Sequence, residues 1–144
     1  MTADGETSIS PTPQQSSSPI APGDRAARNV IRGYYDSINS RNYRKAFELW
    51  SGKGETSNKS FEEFRDGYQD TESVDVDMTG DAGRLEGAAG SQYITIAVRL
   101  KAQMRSGEIQ KFTGKYTLRR SMVDGATPEQ RSWRIFSAEI KRSD

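Results

Sequence analysis

The sequence predicts an α+β roll: three helices early in the chain, packed on a curved antiparallel sheet of four to five strands. Three observations carry this. Apolar residues between 24 and 68 recur at three- and four-residue steps, the period of amphipathic helices. From 73 onward they alternate, the period of half-buried strands. Between the first two helical runs lies only "SRN" (40–42), a corner so short that the helices must be neighbours in space.

Taken in order, Asp24 is the expected N-cap of a first helix. Ala27, Val30, Ile31, Tyr34, Tyr35 and Ile38 form its apolar stripe, opposite Arg25, Arg28, Asn29, Arg32 and Asp36. Asn42 caps a second helix whose stripe is Tyr43, Ala46, Phe47 and Trp50. After the loop "SGKGETSN" (51–58), Ser60 and Glu63 have the spacing of a capping box, opening a short third helix with Phe61, Phe64 and Tyr68.

The strands follow. Val74, Val76 and Met78 alternate with Ser73, Asp75 and Asp77. A glycine-rich turn leads to an irregular edge strand near 84–87, and the segment "SMVDGATPEQ" (121–130) reads as a loop. Over 92–105, Ile94, Ile96, Val98, Leu100, Ala102 and Met104 share one face; over 110–120, Phe112, Gly114, Tyr116 and Leu118 do. A three-residue loop, Ser106–Glu108, with Gly107 at positive φ, keeps these sets together by pairing Ala102 with Phe112, Leu100 with Gly114 and Val98 with Tyr116; a bulge after a tighter turn is the alternative. In the last strand, 131–141, Trp133 and Ile135 are out of phase with Phe136, Ala138 and Ile140, which predicts a bulge or burial on both faces.

Composition divides the chain and excludes several chemistries. Residues 1–23 hold four of the five prolines, many serines and no aromatic ring, so they are expected to form a disordered tail or tether before a domain at 24–144. This leader lowers the mean hydropathy to −0.85. With neither cysteine nor histidine, no disulfide, thiol nucleophile, zinc–thiolate site or imidazole base is available, and no metal or cofactor is expected. The leader carries −2, from Asp4 and Glu6, so the remainder is about +3, short of a nucleic-acid-binding balance. No apolar run is long enough to span a membrane. A Ser/Pro-rich leader before a folded domain is what remains once a signal or lipid-anchor segment is removed, which suggests an extracytoplasmic location, periplasmic or membrane-tethered; the cytoplasm is the alternative.

"VIRGYYDSINSRNYRKAFELW", "SFEEFRDGY", "FTGKYTLRR" and "RSWRIFSAEI" together resemble the nuclear transport factor 2-like superfamily, over residues 25–141. The likeness is greatest to small bacterial extracytoplasmic and lipoprotein domains of that group. The resemblance implies a cone-shaped roll and leaves activity open, since the superfamily spans ketosteroid isomerases, polyketide cyclases, epoxide hydrolases and members without known catalysis.

Enzymes on this roll work inside the cone, so catalysis would need an inward acid or base there. Asp75 and Asp77 are expected to face water, Asp70 is a loop carboxylate near the mouth, and Glu139 lies in the phase-slipped strand; no catalytic residue is assigned. Tyr34, Tyr35, Phe47, Trp50, Tyr68, Tyr116 and Trp133 are candidates to line a ligand cavity, or simply to fill the core. Arg120, inward at a strand end, is a candidate to meet an anionic ligand or to pair with Glu62 or Glu63. On the opposite sheet face, Arg99, Lys101, Arg105, Lys111, Lys115 and Arg119 form a basic surface, with Arg99 expected opposite Lys115. That surface fits a solvated face, neutralisation by Asp75, Asp77 and Glu139, or an acidic protein or anionic surface as partner. An isologous sheet-to-sheet dimer would bring like charges together, so a monomer is expected. The expected function is thus a non-catalytic ligand-binding or protein-interaction module; the alternative is a small-molecule enzyme of the isomerase, cyclase or hydrolase kind.

Overall fold

The computed structural model describes residues 23–78, 80 and 83–143; of the expected disordered leader, residues 1–23, all but Gly23 lies outside them. Helix α1 (Asp24–Asn39) buries Ala27, Ile31, Tyr34, Tyr35 and Ile38, the predicted stripe. Its N-cap is Gly23, at φ 85, and not Asp24. Asp24 is instead the first helical residue and only 3% exposed; its carboxylate accepts from Gly83 N at 2.5 Å and from Arg28 Nε at 2.8 Å. A carboxylate in the first turn also complements the positive end of the helix dipole.

Helix α2 (Tyr43–Glu48) is capped as expected, Asn42 Oδ1 accepting from Lys45 N at 3.3 Å. A single 3-10 turn (Glu55–Ser57) precedes α3 (Phe61–Asp66), whose capping box is complete: Glu63 N donates to Ser60 Oγ and Ser60 N to Glu63 Oε1.

Five antiparallel strands follow: β1 (Thr71–Asp77), β2 (Arg84–Ala88), β3 (Ser91–Met104), β4 (Ile109–Ser121) and β5 (Arg134–Arg142). They run in the order β1-β3-β4-β5, with β2 also paired to β3. A one-turn helix, α4 (Pro128–Arg131), occupies part of the segment expected to be loop; Thr127 and Gln130 box its N-terminus around Pro128.

The inward phase is as predicted: Ile94, Ile96, Val98, Leu100, Ala102, Tyr116 and Leu118 are all buried, whereas Arg99 and Lys115 are exposed. The β3–β4 register differs from expectation by two residues. The three-residue loop is Arg105–Gly107, with Gly107 at φ 94, and Met104 N donates to Glu108 O. Leu100 therefore pairs with Phe112, Val98 with Gly114 and Ile96 with Tyr116. A two-residue slip preserves the face of every side chain, so alternation alone does not distinguish the two registers. The like-charge cross-strand pair becomes Lys101–Lys111, and Arg99 lies opposite Thr113, not Lys115.

The phase slip in β5 is a bulge. Leu118 pairs with Ile135 but Thr117 with Ser137, so Phe136 is the extra residue. It stacks edge-on against Tyr93 on the outer face, 5.3 Å between centroids. Beyond it, Ala138 and Ile140 take over the inward positions, opposite Tyr116 and Gly114. At Gly114 a β-carbon would sit 1.9 Å from the Glu139 carbonyl oxygen. The β5 backbone thus passes where a side chain would be, and glycine lets the sheet curl around the helices.

Candidate functional site

The curl leaves a cavity of about 430 Å³ between the helical layer and the concave sheet face. Its floor holds Tyr34 and Tyr35 from α1, Trp50 following α2, and Tyr116 from β4. Phe64 and Tyr68 close one side. Val74, Leu100, Ala102, Phe112 and Ile140 supply an apolar wall, and Lys59, Gly67, Gln110 and Ala138 belong to the rim.

The rings form one network. Tyr34 stands edge-on to Tyr35 (4.9 Å), Trp50 (6.4 Å) and Tyr116 (6.2 Å). Hydroxyls meet in two pairs, Tyr34 with Tyr68 at 3.2 Å and Tyr35 with Tyr116 at 2.5 Å. Burial pushes all four phenol pKa values up, and the neighbouring tyrosines raise those of Tyr34, Tyr35 and Tyr116 further. Near neutral pH these groups are therefore hydrogen-bonding hydroxyls, not phenolate bases. The indole N–H of Trp50 is buried beside Tyr34 and acts to lower that phenol's pKa, against the larger effect of burial. Among the described residues, no Asp or Glu lines the cavity, and no group of three or more His, Cys, Asp or Glu could hold a metal ion.

Of the eight candidate ligand-binding residues, Tyr34, Tyr35, Trp50, Tyr68 and Tyr116 come together here. Trp133 and Arg120 do not. Trp133 is 4% exposed beneath Gly23, where a β-carbon would touch its ring. Arg120 lies over Trp133, 4.8 Å from the ring centroid, and donates from Nε and Nη2 to Gln92 Oε1, rather than to Glu62 or Glu63. Phe47 packs in the core against Phe61 and Phe64. Gln110 and Lys59 went unnoticed in the sequence; Gln110 shares the even-numbered phase of Phe112 and was findable by that signal, whereas Lys59 stands in a loop without period.

The carboxylates considered for catalysis lie elsewhere. Asp75 and Asp77 stand opposite Lys101 and Arg99 on the outer face. Glu139 Oε1 is 3.7 Å from Lys115 Nζ, and Asp70 is exposed, its backbone carbonyl accepting from Arg105 N. The basic outer face is thus interleaved with acids. Arg105 turns to the sheet edge, with Nη1 3.6 Å from Glu72 Oε1 and Nε donating to Gln69 O, and Arg119 Nε donates to Ser91 Oγ. Among the described residues, no helix is long and apolar enough to cross a membrane.

No family model and no curated protein matches the chain. Solved structures do. A nuclear transport factor 2-like superfamily protein from Salmonella enterica serovar Typhimurium superposes with a TM-score of 0.55 at 10% identity, covering 86% of this chain and 93% of that one. The Kfla4162 protein from Kribbella flavida gives 0.56 at 15% identity, with the same coverage. The helix order, the curled antiparallel sheet and these superpositions together give the chain the fold of the nuclear transport factor 2-like superfamily.

Proposed function

We propose that this domain binds, without transforming, a small and largely apolar molecule bearing one hydrogen-bonding head group. The observation that carries the proposal is a ring-lined cavity with polar atoms but no carboxylate. Its volume, about 430 Å³, falls within the range of small-molecule sites, about 300–1,000 Å³. The apolar wall would receive the body of the ligand. The tyrosine hydroxyls would receive an acceptor such as a carbonyl oxygen. Lys59 at the rim favours a ligand with a negative end. Acid–base catalysis would require an inward group that titrates near working pH, and the cavity-lining tyrosines are all shifted away from it. Tethering outside the cytoplasmic membrane is a further part of the proposal; its support is the Ser/Pro-rich composition of residues 1–23.

The test is a thermal-shift screen of steroids and apolar carboxylates, followed by tryptophan emission titrations. A ligand at about 100 times its Kd stabilises by about 2.7 kcal/mol, a shift of several degrees. Ala138→Trp fills the mouth opposite Tyr116 and is expected to abolish the response while leaving a cooperative melt. The proposal fails if no compound stabilises saturably, or if Ala138→Trp binds as well as the parent. Turnover of a bound compound would replace it with the enzyme reading.

A further inference from the structure

A second cleft, of about 780 Å³, opens between the turn at 51–56 and the segment 119–134, and it shares no lining residue with the cone cavity. Arg119 and Arg134 both line it, half-buried, while Arg120, next along β4, turns to the other sheet face over Trp133. Arg119 and Arg134 are direct cross-strand partners on β4 and β5. Like charges placed so destabilise a sheet, and half-burial weakens the screening that would relieve them.

Such a cluster ordinarily holds a carboxylate between its members. Here no carboxylate among the described residues ion-pairs with Arg119 or Arg134. Neutral acceptors hold them instead. Ser91 Oγ takes Arg119 Nε at 3.1 Å, and Trp133 O takes Arg134 Nη1 at 2.9 Å. The Nε of Arg134 is buried and makes no hydrogen bond. The cleft's own carboxylates, Glu55, Asp124 and Glu129, are exposed at its rim.

We propose that this cleft binds the oxyanion of a small molecule, a phosphate or carboxylate group, between the guanidiniums of the cross-strand pair Arg119 and Arg134. A planar guanidinium fork matches either group with paired hydrogen bonds. The two forks are already held by Ser91 Oγ and the Trp133 carbonyl, so binding orders little that is not ordered beforehand. The rim carboxylates repel dense polyanions, which sets a single oxyanion apart from nucleic acid.

The experiment titrates the full chain with inorganic phosphate and, separately, succinate, by calorimetry and thermal shift, holding sodium chloride constant. Saturable binding of either probe, weakened about tenfold or more in Arg119→Gln and in Arg134→Gln, supports the site, the loss corresponding to about one charge-assisted bond; which probe binds identifies the head group. Without ligand, both variants are expected to melt no lower than the parent, because the like-charge pair is relieved. Arg119→Lys keeps the charge and loses the fork, and is expected to weaken binding as well. The proposal is overturned if neither probe saturates, if the glutamine variants bind as the parent does, or if both melt clearly lower without ligand. Neither probe carries an apolar body for the cone, so failure here is distinct from failure of the cone proposal.

Discussion

Gly114→Ala tests how the cone closes. Its β-carbon would lie 1.9 Å from the Glu139 carbonyl oxygen and 2.8 Å from Ile140 Cα, where real contacts begin at 3.0 Å or more. Backbone atoms cannot rotate away as a side-chain tip can, so β4 and β5 must separate by roughly 1 Å. Overpacking of this kind costs about 1–3 kcal/mol. Each ladder hydrogen bond lost beside the Gly114–Ile140 pair adds about 1 kcal/mol. Replacing glycine in a strand returns about 0.5–1 kcal/mol of backbone entropy. The expected net loss is about 2–4 kcal/mol. Urea denaturation followed by tryptophan emission measures it, since Trp50 and Trp133 both contact the roll interior. Separation would also displace Ala138 and Ile140 from the cavity, so ligand response is expected to fall with stability. A loss below about 1 kcal/mol, with an unchanged slope against urea, would refute the claim that glycine is what permits the curl.

Two further outcomes follow from burial. Asp24→Ala removes a 4%-exposed carboxylate bound to Arg28 and Gly83 N, and is expected to cost about 3 kcal/mol or more, whereas Asp66→Ala breaks an exposed pair with Arg65 and is expected to cost under about 0.5 kcal/mol; equal losses in urea melts would overturn this ranking. Tyr34, Tyr35, Tyr68 and Tyr116 all have folded-state pKa values raised above 10.0, so the unfolded chain releases these protons first; stability is full below pH 10 and falls as pH rises above it, with phenolate absorbance expected to lag and then appear with unfolding, and ionisation of all four without unfolding near pH 10 would contradict it.

Local chemistry written in a few adjacent residues was legible: the Asn42 cap, the Ser60–Glu63 box, the inward stripe from Ile94 to Leu118 and the bulge around Phe136 each depend on neighbours within a turn or on strict alternation. Five of the eight ring and arginine candidates met in one cavity for the same reason, because helical spacing and strand parity set which way they point. Other features needed the folded chain. Alternation repeats every two residues, so it admits both the expected β3–β4 pairing and the observed one; contacts beyond the hairpin select between them. Asp24 pairs with Arg28 one turn along the same helix, but only the tertiary fold brings Gly83 N against its carboxylate. Arg120 and Trp133 left the cone, and Arg134 joined Arg119 across the sheet, through a bulge whose exact position governs what lies opposite what. Sequence by itself determined which faces are apolar, because that is a property of spacing; tertiary structure decided which polar groups meet, because that depends on register and on chain segments far apart in sequence.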